Sequence, residues 1–121
     1  MVIGFKTQFV QPILDGTKIH TIREDAHNRW QTGKTMHMAT GVRTKQYKQF
    51  NKAVCTGKQS IAMYYDDAPF PIISIDGQKP IDYDTLLLLA KNDGFKSVED
   101  FIAWFSTSYV GWIIHYTDFR Y

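Results

Sequence analysis

A single cysteine, Cys55, stands in the 121 residues, so no disulfide can form within the chain and a reducing compartment is the simpler reading. Nothing marks that thiol as activated, and it reads as a packed apolar residue. No stretch of about 18 apolar residues occurs, nor a charged N-terminal segment followed by a long apolar one, which points to a soluble, cytoplasmic protein with no membrane partner. A Gly-rich phosphate-cradling loop is also missing, which argues against a nucleotide triphosphatase. His20, His27, His37 and His115 show no ligand spacing and none lies beside a cysteine, so neither a metal nor another cofactor is expected. Finally, the net charge of +2 is too small to identify a polyanion partner by itself. Only local clustering of Lys and Arg can do that.

What the chain does have is a core. Hydrophobic residues make up 44% and aromatics 15%, against 21% charged, enough for a folded globule. No repeat, linker or low-complexity tract divides it, so residues 1–121 read as one domain. Phe5, Phe9, Ile13 and Leu14 predict one to two helical turns, which Gly16 ends at a position needing positive φ. A strand is expected from Thr17 to Ile22, a polar stretch to the turn at Thr32-Gly33, then a strand over Thr35–Thr40 with Met36 and Met38 on one face. Val42 to Cys55 suits an extended, partly exposed excursion. Gln59–Tyr65 and Pro71–Asp76 are further strand candidates, the second closed by Asp76-Gly77.

The last third changes period. Asp82 or Asp84 caps a helix through Leu86–Ala90 that Asn92-Asp93-Gly94 terminates, and Ser97 caps a second with Val98, Phe101, Ile102 and Phe105 as its apolar stripe. Gly111 is expected to break the chain before a closing strand over Trp112–Phe119. The class is therefore α+β, and many short strands without a repeated βαβ unit predict a small β-barrel decorated by helices.

The densest chemistry lies in Gly16-Thr-Lys-Ile-His-Thr-Ile-Arg23, which sets an amine, a hydroxyl and a guanidinium behind a turn glycine. Such groups can grip an anionic or carbonyl-bearing ligand. On a regular strand Lys18 and Thr21 face opposite sides, so they converge only if Lys18 lies in the turn or a bulge intervenes. Taken by themselves, Lys18 reads as a solvated charge and Arg23 as a partner of Glu24 or Asp25. Trp30 lies in the polar loop beyond Arg23, where it can roof a ligand site. Arg43, Lys45, Lys48 and Lys52, interleaved with Tyr47 and Phe50, supply the phosphate contacts and stacking faces that single-stranded nucleic acid needs, unless they merely solvate a loop.

Phe9, Ile13-Leu14, Gly16, Lys18, Thr21-Ile22-Arg23 and Thr32-Gly33 together resemble the ASCH domain family. The likeness is densest over Phe5 to Met38 and extends to the Ala90–Phe95 helix end and the terminal strand. It implies a PUA-like barrel and an RNA-binding or nucleotide-binding role. One small bacterial branch of the family is an amidohydrolase acting on N4-acetylcytidine, and its catalytic lysine, threonine and glutamate fall by resemblance on Lys18, Thr21 and Asp93. The acid departs from the pattern: aspartate is one methylene shorter, which retracts the carboxylate by about 1.5 Å, and Glu24, Asp25 and Glu99 are alternative candidates for the acid that faces the pocket.

Under the amidase reading, Thr21 attacks an acyl carbonyl and Lys18, as the neutral amine, takes its proton. That requires the lysine pKa to fall roughly three units from about 10.4, which is about 4 kcal/mol. Burial and Arg23 would push it down and a carboxylate beside it would oppose this, so Asp93 is expected against the substrate amine rather than the lysine. The leading expectation is a Lys18, Thr21 and Arg23 pocket for a nucleobase, nucleoside or RNA segment, with Trp30, Arg43 and Lys45 as further contacts. Alternatives are the amidohydrolase and a protein-interaction module. Whether residues 42–58 close over the pocket as a lid stays open.

Overall fold

The computed structural model describes all 121 residues, Met1–Tyr121. Eleven short elements make up the chain. In order they are β1 (Val2–Gly4), a 3-10 turn (Thr7–Phe9), α1 (Val10–Leu14), β2 (His20–Arg23), β3 (Thr35–Thr40), β4 (Lys48–Val54), β5 (Gly57–Tyr64), β6 (Ile72–Ile75), α2 (Tyr83–Asn92), α3 (Val98–Trp104) and β7 (Tyr109–His115). The class is α+β.

The strands do not close into the expected barrel. They form a three-stranded sheet in the order β1-β3-β4 and a four-stranded sheet in the order β2-β7-β5-β6. Only β1 and β3 run parallel; every other pairing is antiparallel. A barrel would need hydrogen bonds linking the two sheets into one ring. Here β1 and β4 end one sheet while β2 and β6 end the other.

One hydrophobic core of 22 buried residues joins both sheets to the helices. Met36 and Met38 come from β3, Ile61 and Met63 from β5, Ile73 and Ile75 from β6, Leu86 and Leu89 from α2, and Phe101 from α3. Met36 and Met38 are fully buried while His37 between them is not, as the alternation of a half-buried strand requires. Asn51 pairs with Met38 and Gln49 with Ala39, which leaves Phe50 as the extra residue of a bulge in β4. Its ring packs edge-on against Phe5 at 6.2 Å between centroids.

Local chemistry sets the helix ends. Asp82 caps α2 by accepting from the Thr85 N–H at 2.8 Å, and Ser97 caps α3 by accepting from the Asp100 N–H at 3.1 Å. Gly16 has the positive φ its position demands, +83°. The segment after Val42 is extended and partly exposed, as expected, and its Lys48–Val54 stretch forms the edge strand β4. Two elements depart from expectation. The strand after Gly16 begins only at His20, because the Lys18 N–H bonds to the Pro12 carbonyl and the Ile19 N–H to that of Asn92. Gly111 does not break the last strand but sits inside β7, opposite Ile61. A Cβ there would come within 2.6 Å of the Arg23 carbonyl oxygen, so glycine lets β2 and β7 approach closely. No helix is long and apolar enough to cross a membrane.

Candidate functional site

Lys18 precedes β2, outside the ladder, and this resolves its parity conflict with Thr21. Both side chains reach one cavity of about 630 Å³, together with Arg23 and Asp93. The cavity opens between the end of β1, the turn after β3, the Thr21–Arg23 part of β2 and the end of α3. Aromatic rings make up most of its apolar lining. Phe9, Phe95 and Trp104 stack edge to face with centroids 5.3 to 5.8 Å apart, and Tyr109 and Phe105 continue the lining.

Lys18 is 2% exposed, and its amine is held from two sides of one residue. It donates to the main-chain carbonyl of Asp93 and, at 3.1 Å, to Oδ1 of the same residue. Asp93, the residue that caps the C-terminal end of α2, is therefore seated against the lysine, contrary to the expectation that it would face a substrate amine. Burial pushes the Lys18 amine below its ordinary pKa, and the Asp93 carboxylate opposes the fall. The Nζ atom also lies 4.7 Å from the centre of the Phe9 ring.

Gly94 is what lets the lysine in. Its φ is +90°, and a Cβ there would stand 2.8 Å from Lys18 Cδ and 3.1 Å from the Phe9 ring. The glycine that ends α2 thus also clears the path of the lysine stem.

Arg23 turns inward instead of pairing with Glu24 or Asp25. Its Nε donates to Thr21 Oγ1 at 3.1 Å and its Nη2 to the Gly4 carbonyl at 2.6 Å, while the guanidinium lies 4.9 Å from the Phe5 ring. Thr21 Oγ1 accepts that bond, so its own proton remains free for a ligand. Asp25 has other work: it accepts from Lys58 at 2.8 Å and from the main-chain N–H groups of Arg29 and Trp30. Burial would raise its pKa, but these donors outweigh that and hold the carboxyl low.

Behind Asp93 runs a chain of buried polar groups that spacing in the sequence did not single out. His20 Nδ1 lies 3.2 Å from Asp93 Oδ1, and His20 Nε2 lies 2.6 Å from the Tyr121 hydroxyl, which accepts from Asn92 Nδ2 at 3.1 Å. Hydrogen-bond logic sets the directions. With a neutral ring, Nδ1–H donates to Asp93 and Nε2 accepts from Tyr121. Burial depresses the His20 pKa and favours that neutral form. His115 packs edge-on at 5.4 Å, with Nε2 3.0 Å from Gln59 Oε1, Nδ1 without a partner and its pKa lowered to about 3 by burial. Their one sequence signal was parity: His20 shares a strand face with Ile22.

Other predicted contacts fall elsewhere. Trp30 is buried in the core and does not line the cavity, so it roofs nothing. Arg43 and Lys45 are exposed on the turn between β3 and β4. Their neighbours Gly41, Val42 and Thr44 line the cavity from the turn, whereas Lys48–Val54 and Gly57-Lys58 are paired into the sheets as β4 and the start of β5 and do not cover it. Tyr109 on the wall has its phenol raised to about 12 by burial and, next, by Glu24. No three His, Cys, Asp or Glu side chains gather closely enough to hold a metal ion.

The arrangement defines a polar hollow in which the basic side chains Lys18 and Arg23, with Lys6 at its rim, meet the Asp93 carboxylate and the Thr21 hydroxyl beside a set of aromatic rings. No family model, curated protein or solved structure matches the chain.

Proposed function

We propose that the chain is an ASCH-like, PUA-related domain whose cavity binds a nucleobase or nucleoside, free or within RNA. One observation carries the reading: Lys18, Thr21, Arg23 and Asp93 converge on a single cavity of about 630 Å³ with aromatic walls. A volume in that range suits a ligand the size of a nucleoside. The rings offer faces on which a base stacks, while the amine and guanidinium donate to carbonyl or ring-nitrogen acceptors and the carboxylate accepts from an exocyclic amine. Titrating the protein with cytidine and following the fluorescence of Trp104, which is half-exposed on the cavity wall, tests this. Saturable quenching that Lys18→Ala and Arg23→Ala weaken at least tenfold supports the proposal; no response to any nucleoside refutes it.

A second reading, hydrolysis of an N4-acylated cytidine, is favoured by a specific feature. Lys18 and Thr21, the pair it requires, share the cavity, and burial drives the amine towards its neutral form. Thr21 Oγ would attack the acyl carbonyl as its proton passes to Lys18. The C–N bond would then break with that proton delivered to the leaving amine, and water would hydrolyse the ester. Binding ranks first because both hydrogen bonds of Lys18 Nζ go to Asp93 and none to Thr21. Acetate release from N4-acetylcytidine, abolished by Lys18→Ala and by Thr21→Ala, would reverse that order.

A further inference from the structure

Charge is segregated along this chain far more than its net value reveals. Residues 26–65 hold seven of the fourteen Lys and Arg and none of the twelve Asp and Glu. Three ion pairs exist in the molecule, Lys18–Asp93, His20–Asp93 and Lys58–Asp25. Arg43, Lys45, Lys48 and Lys52 are therefore all exposed and without a carboxylate partner. Cations left unpaired on one arm of a fold create a local positive field that a strong polyanion answers best.

The arm is aimed. Its turn is fixed by Gly41 and by Thr44, whose hydroxyl donates to the Gly41 carbonyl at 2.6 Å and accepts from the Gln46 N–H at 3.1 Å. Within it Arg43 is held at φ +65°, a left-handed conformation that costs a non-glycine residue on the order of 1 kcal/mol. The same turn lines the cavity through Gly41, Val42 and Thr44, and Lys6, exposed, stands on the rim as well. Register then divides the lysines of β4. Lys48 pairs with Thr40 beside the turn, whereas Lys52 pairs with His37, an odd number of residues away on β3 and so on the other face of the sheet.

We infer that Arg43, Lys45 and Lys48, with Lys6, form a track for the sugar-phosphate backbone of a single-stranded nucleic acid, one nucleotide of which enters the cavity. The inference rests on the nucleobase reading of that cavity and sharpens it: the natural ligand is a strand rather than a free nucleoside. A single strand is required because a base inside a duplex is stacked and paired, and reaches such a hollow only after extrusion. Tyr47, exposed on the same arm, offers a neighbouring base a face to stack on.

The test is fluorescence anisotropy with a labelled 12-nucleotide unstructured RNA containing cytidine, run beside calorimetry with cytidine. The RNA is expected to bind at least tenfold more tightly than the nucleoside, with log affinity falling against log salt at a slope of about −2 to −3 for three to four phosphates. Lys45→Glu and Lys48→Glu, combined with Arg43→Asn because asparagine tolerates the left-handed turn, should cut RNA affinity at least tenfold. Cytidine affinity should stay within twofold. Lys52→Glu, on the far face, should change both by less than twofold. RNA binding no tighter than cytidine, equal affinity for the matching duplex, or a Lys52 effect as large as that of the track each overturns the inference and leaves the cavity reading standing. Failure of both ligands overturns the two together.

Discussion

The cavity and the arm beside it use the same side chains in opposite ways. Inside, Lys18 is 2% exposed and locked to Asp93; on the arm, Lys45 and Lys48 are exposed and touch no carboxylate. A buried pair of charges is held by geometry, since each has lost its water and depends on the other. Exposed cations act through a field that salt screens over roughly 10 Å. The cavity should therefore be sensitive to substitution and indifferent to salt, and the arm the reverse.

Removing the counter-ion breaks the comparison most severely. Asp93→Ala leaves Lys18 buried without its carboxylate partner and removes the acceptor for His20, so unfolding free energy by urea titration should fall by about 3 to 5 kcal/mol. Asp93→Asn, which keeps the shape and an acceptor oxygen, should recover part of that loss. A deficit under about 1 kcal/mol for the alanine variant would mean that Lys18 escapes to solvent.

Gly94 and Gly33 sharpen the same point. Both have positive φ, +90° and +93°, but a Cβ at Gly33 meets nothing within 4 Å while one at Gly94 meets Lys18 and Phe9. Gly33→Ala should cost only the backbone term, about 1 kcal/mol, and Gly94→Ala clearly more, with weakened ligand binding as Lys18 is displaced. Equal costs measured by denaturant melts would show that the lysine stem yields freely.

How far this was legible follows from the range of each interaction. Gly16, Asp82 and Ser97 act within a few residues of themselves, so the turn and the Ser97 cap were readable from residue type, and the other cap was narrowed to Asp82 or Asp84. The Met36 and Met38 face was readable from parity. By contrast, the grip of Asp93 on Lys18 spans 75 residues, and resemblance placed both residues at the site without revealing that they touch. Gly111 read as a breaker because its reason, the Arg23 carbonyl across the sheet, is non-local. The barrel failed for a similar cause: short strands indicate a sheet-rich fold, but closure depends on whether edges from distant segments meet. His20 and Tyr121, 101 residues apart, carry no joint signal.

The histidines give the cavity side a pH response. Burial depresses His20, and takes His115 to about 3, so the folded state resists protonation that the unfolded chain accepts near 6.5. Their contribution is complete above pH 6.5 and is lost as pH falls towards the folded value. Above pH 4.5 the carboxylates held low by the fold, Asp15, Asp25 and Asp82, are still mostly ionised in both states, so the histidine contribution stands out. Through His115 alone, stability should decline by roughly 1 kcal/mol per pH unit between 6.5 and 4.5, and His20 adds to the decline. His115→Phe should flatten the decline; an unchanged slope would place the response elsewhere.

The smallest effect belongs to the arm. Lys45→Ala removes an exposed ammonium that no carboxylate balances, so folding stability should change by less than about 0.5 kcal/mol. The sign is informative. Arg43, Lys45, Lys48 and Lys52, which no carboxylate pairs, repel one another in the folded state, and deleting one should leave stability equal or slightly raised at low salt. Raising the ionic strength should erase even that difference, because screening removes the repulsion from wild type and variant alike. Paired urea titrations at 20 mM and 500 mM salt measure it. A loss above about 1 kcal/mol that persists at high salt would show that Lys45 packs through its hydrocarbon stem, and the division between held and unheld charge would then run through the arm itself.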